Sequence, residues 1–456
     1  MSEMTVEKQD LTTGPLGKKI LLFSLPLMIS NLLQVLFNMA DVAVVGQFAG
    51  SLALGSVGST SNLVALFTGF LIGLSGGINV LTALRFGAKD RRGIIETVHS
   101  AAILSLLTGI FLTVTGVGFS RSIMTLLNTK PELIDGAVLY FRIYLLGMPA
   151  MALYNFGNAV FSAVGNTKKP LMYLSNSGVL NVILNLFFVV VCNMSVAGVA
   201  LASVLSQYLS AVLIVSALFR SKEVFGLRMS ELRLDKSSAL QIAGIGFPAG
   251  IQNVIFQVAN LFVQVGVNTF DATMVAGNSA AANADNIVFD IMTAFYTACA
   301  SFMGQNYGAG KKKRLLRSYF ISLAYAFGTA LIVGWLLVAF GHQFLSLFTK
   351  DPAVVEAGMK RLTIMGSAYC LSAFMDCSIA ASRALGKSLA PTVIVIMGSC
   401  VFRVIWIYTI FAHFQTIPSL YMLYVFSWTI TSIAEIIYFA KIYKKQTAKL
   451  VPNILS

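Results

Sequence analysis

Long apolar runs dominate this sequence and leave it few ways to fold. Stretches of about 20 residues or more with almost no charged side chain recur along the 456 residues, and a helix of about 20 residues crosses the hydrocarbon of a bilayer. Only 11% of the residues are charged, against about a quarter in soluble proteins. Since hydrocarbon offers the backbone no hydrogen-bond partner, each run must form a helix. The sequence therefore predicts an all-α polytopic membrane protein.

The apolar runs predict about twelve transmembrane helices, at residues 20–45, 55–82, 94–118, 133–157, 170–191, 197–219, 240–267, 275–304, 315–340, 355–382, 389–412 and 419–440. An even number of crossings places both termini on one side. Basic residues of short loops collect in the cytoplasm, and most of the 32 Lys and Arg lie at the termini or in alternate loops, whereas Arg121, Lys130 and Lys350 lie in the opposite loops. We expect a multi-pass protein of the inner (plasma) membrane with cytoplasmic termini.

The net charge of +14 follows from this topology and does not indicate a nucleic-acid partner. The five cysteines and three histidines are scattered without metal-ligand spacing. No constellation of side chains typical of an enzyme is visible either. We therefore expect no enzymatic activity, no cofactor and no metal site other than one for a coupling Na⁺, and we expect a monomer in the lipid bilayer.

The second half of the chain repeats the first at a shift of about 222 residues. The repeated positions include Pro26, Asn31, Asn38 and Gly55, which recur as Pro248, Asn253, Asn260 and Gly277. Six helices separate the copies, so both have the same orientation. The sequence predicts two six-helix bundles related by a pseudo-twofold axis along the membrane normal: an N-terminal lobe 1–219, a cytoplasmic loop 220–239 and a C-terminal lobe 240–456. In transporters such an arrangement places the substrate pathway between the bundles; the alternative is a duplication without transport.

Polar side chains form stripes on two otherwise apolar helices. In the first predicted helix they are Asn31, Gln34, Asn38 and Asp41, and in its copy, the seventh, they are Asn253, Gln257, Asn260, Gln264 and Asn268. Spacings of three and four residues place each set on one helix face. Such a face looks into the bundle or a watered cavity, or holds helices together through amide hydrogen bonds.

Asp41 is the most informative of these residues. The duplicated position holds the apolar Val263, so the repeat itself needs no carboxylate there. A charge deep in the membrane costs about 2.5 to 3.5 kcal/mol even on the lenient insertion scale. We therefore predict that Asp41 binds a coupling cation and does not merely pack. Pro26 on the same helix predicts either a static bend or a moving hinge.

Other buried polar residues leave two interpretations open. Asp290 and Asp376, the latter duplicating Asn155, are either cation sites or satisfied interhelical contacts, and Asp285 is a gate or a helix cap. Glu435 precedes Lys441 by less than two turns, so we expect it to reach the membrane surface.

Two further polar features lie in the fifth and eleventh predicted helices. Asn181 and Asn185 share one helix face, four residues apart. Arg403 could pair with a deep acid, but we favour a structural lock between helices.

Three segments form a recognisable pattern: the first helix with Pro26, Asp41 and Gly46, the sequence Gly304-Gln305-Asn306-Tyr307-Gly308-Ala309, and Arg383-Ala384-Leu385-Gly386-Lys387 before Pro391. Together they resemble the multidrug and toxic compound extrusion (MATE) family. The six-plus-six repeat resembles that family as well. The resemblance covers roughly residues 15–445 and implies a secondary active antiporter, which exports organic cations or amphiphilic drugs by alternating access in exchange for H⁺ or Na⁺.

The resemblance also implies roles for individual residues. Asp41 matches the acid of the first helix, with Asn181 in the zone that completes its site, and Asp376 resembles the acid of the sodium-coupled branch. That branch has a glutamate on the seventh helix, where this chain offers Gln257. Two alternatives remain. A flippase of lipid-linked precursors would line its cavity with several basic residues, for which this chain offers only Arg142 and Arg403, and a membrane-embedded enzyme would need a catalytic constellation of side chains.

Overall fold

The computed structural model describes residues 10–127 and 129–448, and in these ranges every regular element is helical. The helices are α1 Leu16–Val44, α2 Gly50–Gly87, α3 Arg91–Leu126, α4 Pro131–Leu145, α5 Met148–Ala163, α6 Lys168–Leu186, α7 Ser195–Arg220, α8 Lys236–Val267, α9 Ala272–Gly308, α10 Lys312–Ala339, α11 Gly341–Ser346, α12 Pro352–Ala384, α13 Leu389–Phe414 and α14 Ile417–Thr447. The short 3₁₀ turn Met229–Glu231 lies in the loop before α8.

The number of membrane crossings agrees with the sequence. Among the described residues, ten helical stretches are long and apolar enough to cross a membrane, and α4 with α5, bent by 45°, adds an eleventh. The stretch Leu16–Gly87 holds 72 residues, which at 1.5 Å per residue is about 108 Å, far more than a bilayer core of about 30 Å. Gly50, with φ of +86°, interrupts it, so α1 and α2 are separate crossings. The prediction of an all-α protein with about twelve transmembrane helices is confirmed.

The helices form two compact units. One unit, here called the N-unit, comprises Ile29–Gly250, and the other, the C-unit, comprises the described residues up to Met28 and from Ile251 onwards. Helices α1 and α8 are therefore each divided, although both are continuous, α1 through Pro26 and α8 through Pro248. The predicted lobe bounds, 1–219 and 240–456, stay a prediction, and they differ from the units in the first part of α1 and of α8.

Within the N-unit, α2 and α8 approach each other at four glycines. A Cβ atom placed on Gly73 would lie 2.3 Å from the backbone N of Gly250, and one on Gly77 would lie 2.6 Å from that of Gly246. Both helices thus present glycines four residues apart, the pattern that lets helices pack backbone to backbone in a membrane. Contact this close is possible only without side chains, so these glycines set the crossing of α2 and α8.

The C-unit carries the duplicated version of this crossing. The positions 221 residues after Gly73 and Gly77 hold Ala294 and Ala298, which lie on α9. These alanines are fully buried and pack with Ile20, Phe23 and Leu27 of α1. Small residues therefore recur at the same place in both copies, against the first part of α8 in one and of α1 in the other.

Residues 11–14, which precede α1, are hydrogen-bonded to the end of α9 and the start of α10 in the C-unit. The backbone N–H of Leu11 donates to Gln305 Oε1 at 3.0 Å, and Asn306 Nδ2 donates to the Leu11 carbonyl at 3.4 Å. Lys311 Nζ donates to the Thr12 carbonyl at 2.8 Å, while Arg314 donates to the carbonyl of Gly14 at 2.7 Å. Side chains of the Gly304–Ala309 segment and of the following basic run thus satisfy backbone groups that precede α1.

Gly73→Ala should lower stability, because a methyl group at this position collides with the α8 backbone. We expect a loss of about 1–3 kcal/mol, as for other overpacked interiors, seen as a lower midpoint of thermal unfolding in detergent. Gly76→Ala is the matched control on the same helix, since its Cβ would meet no atom within 4 Å. Equal unfolding midpoints for the two variants would contradict this account of the crossing.

Candidate functional site

Asp41 lies near the end of α1 in the N-unit and accepts hydrogen bonds from two neighbouring helices. Asn185 Nδ2 of α6 donates to Asp41 Oδ1, and Ser203 Oγ of α7 donates to Oδ2 at 3.1 Å. Asn185 Nδ2 is also 3.2 Å from Asn181 Oδ1, and Asn181 Nδ2 lies 3.5 Å from Ser203 Oγ. These four residues, the Asp41 cluster, form one closed hydrogen-bond network.

The partners of Asp41 are buried, while Asp41 itself is half-buried. Asn181, Asn185 and Ser203 are buried, and the buried side chains of Val45 and Val189 belong to the core of the same unit. Both donors to Asp41 are neutral. In residues 10–127 and 129–448, no Lys or Arg forms an ion pair with this carboxylate. A carboxylate so placed lacks a fixed counter-charge, which is the arrangement expected where a mobile cation binds.

Two tyrosines of α4 complete the wall of the cluster. The rings of Tyr140 and Tyr144 stack with centroids 5.9 Å apart, and both hydroxyls lie close enough to interact electrostatically with Asp41. Both tyrosines are buried. Aromatic faces beside a carboxylate suit an organic cation, because a cation is attracted to both.

Irregular helical turns adjoin this cluster. The π-helical turn Val45–Ala49 begins four residues after Asp41, and the π-helical turn Phe187–Val191 begins two residues after Asn185. Such turns are rare and occur frequently at functional sites, where they change the direction of neighbouring side chains.

The remaining N-terminal candidates are not brought into this network. Gln34 and Asn38 are exposed side chains on the preceding turns of α1, and Asn155 is half-buried on α5. Among the described residues, the hydrogen-bond donors to Asp41 are Asn185 and Ser203. The roles of Gln34, Asn38 and Asn155 stay predictions.

In the C-unit, Asp285 on α9 has a fixed cationic partner. Arg361 of α12 forms a buried ion pair with Asp285 and also donates to Asn278 Oδ1, while the Tyr369 hydroxyl donates to Asp285. Tyr421 of α14 donates to the same Asn278 oxygen at 2.8 Å. The carboxylate is therefore neutralised within the bundle, an arrangement that locks α9, α12 and α14 together.

Arg403 on α13 is buried between two aromatic rings. Its guanidinium lies 4.8 Å from the ring centre of Phe256 and 4.6 Å from that of Tyr424. Its Nη1 donates to Asn260 Oδ1 at 3.2 Å and its Nε to Ser427 Oγ at 3.4 Å. These contacts join α13 to α8 and α14, as a lock between helices would.

The other C-terminal candidates are half-buried: Asp290 on α9, Asp376 on α12 and Gln257 on α8. Asp376 interacts electrostatically with Arg383 of its own helix. Pro26 is buried and lies inside α1 without ending it. Within the described ranges, no group of three or more His, Cys, Asp and Glu side chains could hold a metal ion.

The expectation for Glu435 was wrong. This side chain does not reach the membrane surface but is completely buried, with 0% exposure. Ser432, one turn earlier on α14, donates to the Leu371 carbonyl of α12 at 3.2 Å. That contact shows the face on which Glu435 lies, so packing against α12 overrides the short distance along the chain to Lys441.

Sequence reasoning missed several residues of the Asp41 cluster or left them without a role. Asn185 stands out by its spacing from Asn181, and that spacing could have placed it in the site. Ser203, Tyr140 and Tyr144 give no comparable signal, because serine and tyrosine are ordinary residues of membrane helices and meet Asp41 only through tertiary packing.

The Asp285–Arg361 pair predicts a strong effect of removing one partner. Arg361→Met should destabilise the protein by about 3–5 kcal/mol, because it leaves a buried carboxylate without its counter-charge. Adding Asp285→Asn to that variant should restore most of the loss in thermal unfolding. Arg121→Met is the control: the Arg121–Asp135 pair is 63% and 80% exposed, and its loss should cost less than about 1 kcal/mol. A single Arg361 variant as stable as the control would refute the lock.

Comparison with known proteins gives consistent results. The chain is 30% identical over 357 residues to the probable multidrug resistance protein YpnP of Bacillus subtilis, covering 77% of this chain and 79% of that protein. It is 25% identical over 411 residues to the probable multidrug resistance protein NorM of Thermotoga maritima, covering 87% and 86%. A solved structure described as the outward-facing conformation of a multidrug resistance MATE family transporter matches with a TM-score of 0.89 at 22% identity, covering 96% and 98% of the two chains.

The family model adds the duplication. The MatE model matches twice, at residues 26–187 and 248–409, and the two matches are offset by the same 222 residues found within the sequence. Together they cover more than half of the chain. The chain therefore belongs to the MatE family of multidrug and toxic compound extrusion transporters.

Proposed function

We propose that this protein is a secondary active multidrug efflux antiporter, which exports organic cations or amphiphilic drugs in exchange for H⁺ or Na⁺ by alternating access. The observation that carries the proposal is the half-buried Asp41 carboxylate, whose hydrogen-bond donors Asn185 and Ser203 are both neutral. The proposal includes a plasma-membrane location with cytoplasmic termini, a monomer, and transport without enzymatic chemistry. The names of the relatives support drugs as substrates and do not favour the flippase alternative.

The chemistry of the Asp41 cluster suggests how ion binding would change its geometry. An ionised Asp41 accepts hydrogen bonds from Asn185 and Ser203. A protonated carboxyl also donates, and the Asn185 amide nitrogen cannot accept, so the new proton would point to Ser203 Oγ or Asn181 Oδ1. Binding of H⁺ thus rearranges contacts that join α1, α6 and α7.

Sodium would use the same oxygens. Asp41 Oδ, Asn181 Oδ1 and Ser203 Oγ are hard oxygen donors of the kind that small cations prefer. An ion on Asp41 removes the negative charge that an organic cation needs beside Tyr140 and Tyr144. Ion and drug therefore compete for one carboxylate, which is sufficient to couple their movements in opposite directions.

Asp41→Asn should abolish ion-driven drug efflux, because an amide neither takes up a proton nor carries the charge that binds Na⁺. The measurement is uptake of a fluorescent organic cation into inside-out proteoliposomes, with a pH gradient or a Na⁺ gradient imposed alone. The wild type should concentrate the cation with at least one of the two gradients. Asp135→Asn, at an exposed carboxylate, is the control and should transport like the wild type. A working Asp41→Asn antiporter would overturn the proposal.

Ser203→Ala should weaken transport without abolishing it. It removes one of two donors to Asp41, and a hydrogen bond to a charged group contributes about 1.5–3 kcal/mol. We expect an altered dependence of the transport rate on pH or on Na⁺ concentration, whichever ion drives transport. Ser206→Ala is matched on the same helix, since the Ser206 hydroxyl donates to its own helix at the Ala202 carbonyl. If the two variants show the same ion dependence as the wild type, Ser203 has no part in ion binding.

A further inference from the structure

Glu435 is a buried acid whose carboxyl oxygens have no hydrogen-bond partner in the part of the chain that the structure describes. The residue has 0% exposure, and among the described residues neither Oε1 nor Oε2 has a hydrogen-bond partner. The Asp41 carboxylate, by contrast, has two donors. Burial without donors disfavours the charged form of a carboxyl group. Glu435 is thus placed where a neutral, protonated side chain is stable.

Helix register brings Glu435 to the level of Asp376. Two reversals of the chain, before and after α13, make α14 run parallel to α12. Ser432 of α14 is hydrogen-bonded to Leu371 of α12. Glu435 lies three residues after Ser432 on α14, and Asp376 lies five residues after Leu371 on α12. Packing between these two helices therefore sets both acids at about the same depth within the C-unit.

Arg383 of α12 links the two acids electrostatically. Its charge acts on Glu435 and on Asp376. Its Nη1 donates to the Tyr296 hydroxyl at 2.7 Å, and Nη2 donates to Gln252 Oε1 at 2.9 Å and to Thr392 Oγ1 at 3.3 Å. These partners are neutral, and within the described ranges the buried Nε has no partner.

The other ionisable groups near Glu435 do not replace Arg383. Tyr438, on α14 itself, interacts electrostatically with Glu435, and Cys377 of α12 does so with Asp376. From α13, Cys400 and Arg403 interact with each other. Arg383 is the cation whose charge acts on both acids.

We propose that Glu435 is a second proton-binding residue, which carries a proton in this conformation and forms with Asp376 and Arg383 a proton site in the C-unit. When Glu435 loses its proton to water, its carboxylate is attracted by the positive charge of Arg383. Protonation of Glu435 thus changes the electrostatic interaction between α14 and α12.

The place of this residue in the transport cycle rests on the proposed antiport, but its protonation does not. Proton binding can be measured on purified protein without any transport. The two proposals can therefore fail independently. The role of Glu435 is tested by counting released protons, and the role of Asp41 is tested by measuring drug efflux.

The test counts protons released when purified protein in weakly buffered, Na⁺-free nanodiscs is shifted from about pH 6 to about pH 9, a range in which exposed carboxyl groups stay ionised. A pH indicator reports the release. Glu435→Gln should release about one proton per molecule fewer than the wild type. It should unfold at the same temperature, since the amide has the shape of the protonated acid. Glu435→Met, with an apolar side chain of similar length, should also release about one proton per molecule fewer than the wild type. This second variant shows that the difference comes from the missing carboxyl group and not from the introduced amide.

A local readout comes from Trp428, two turns before Glu435 and fully buried. The sequence has three tryptophans, so Trp335→Phe and Trp406→Phe leave Trp428 as the sole emitter. Its fluorescence should change with pH in this background, keep that change in Asp41→Asn, and lose it in Glu435→Gln. Equal proton release from wild type and Glu435→Gln, or an unaltered fluorescence change in Glu435→Gln, would overturn the proposal.

Discussion

Hydrocarbon cannot form hydrogen bonds, and this constraint accounts for most of the polar structure of the protein. Polar side chains in the helices pair with one another or with helix carbonyls: Asp41 with Asn185 and Ser203, and Asp285 with Arg361 and Tyr369. Groups that stay unpaired in such a setting are costly. Such unpaired groups therefore indicate where a bound ligand supplies the partner that the protein itself does not.

The same constraint explains why small residues hold the bundles together. Lipid is as apolar as leucine, so helices associate by close packing of backbones and not by expulsion of water. Gly73 and Gly77 against α8, and Ala294 and Ala298 against α1, provide this packing in the two copies. In each copy, the second helix of one repeat packs against the first part of the helix that begins the other repeat. The duplication therefore preserves this packing as well as the helices themselves.

The helical fold and the approximate number of helices could be predicted from the sequence, because they depend on local composition and on the cost of charge in a membrane. Asp41 stands out because of that cost, and Asn181 was expected beside it through the resemblance to the family. Ser203 could not be found, since only the packing of α7 against α1 brings it to Asp41. The role of Lys311 and Arg314 in holding residues 10–14 was missed for a similar reason: a basic run is sufficient to fix topology, so nothing in the sequence indicates a further role. Glu435 was misplaced because distance along the chain to Lys441 says nothing about the helix face that packs on α12.

The two units share a fold but not a distribution of charge. In the N-unit the acid of α1 has neutral donors and no fixed cation, whereas its duplicated position is Val263. In the C-unit Asp285 is already paired with Arg361, while Asp376 and Glu435 lie in the field of Arg383. A carboxylate without a fixed cation can exchange a drug for an ion, because both carry the charge that it lacks. An acid beside a fixed arginine gains nothing from an organic cation, but it can still gain or lose a proton. If the two proposals hold, duplication followed by loss of symmetry in charge gives one protein two different responses to the same proton gradient.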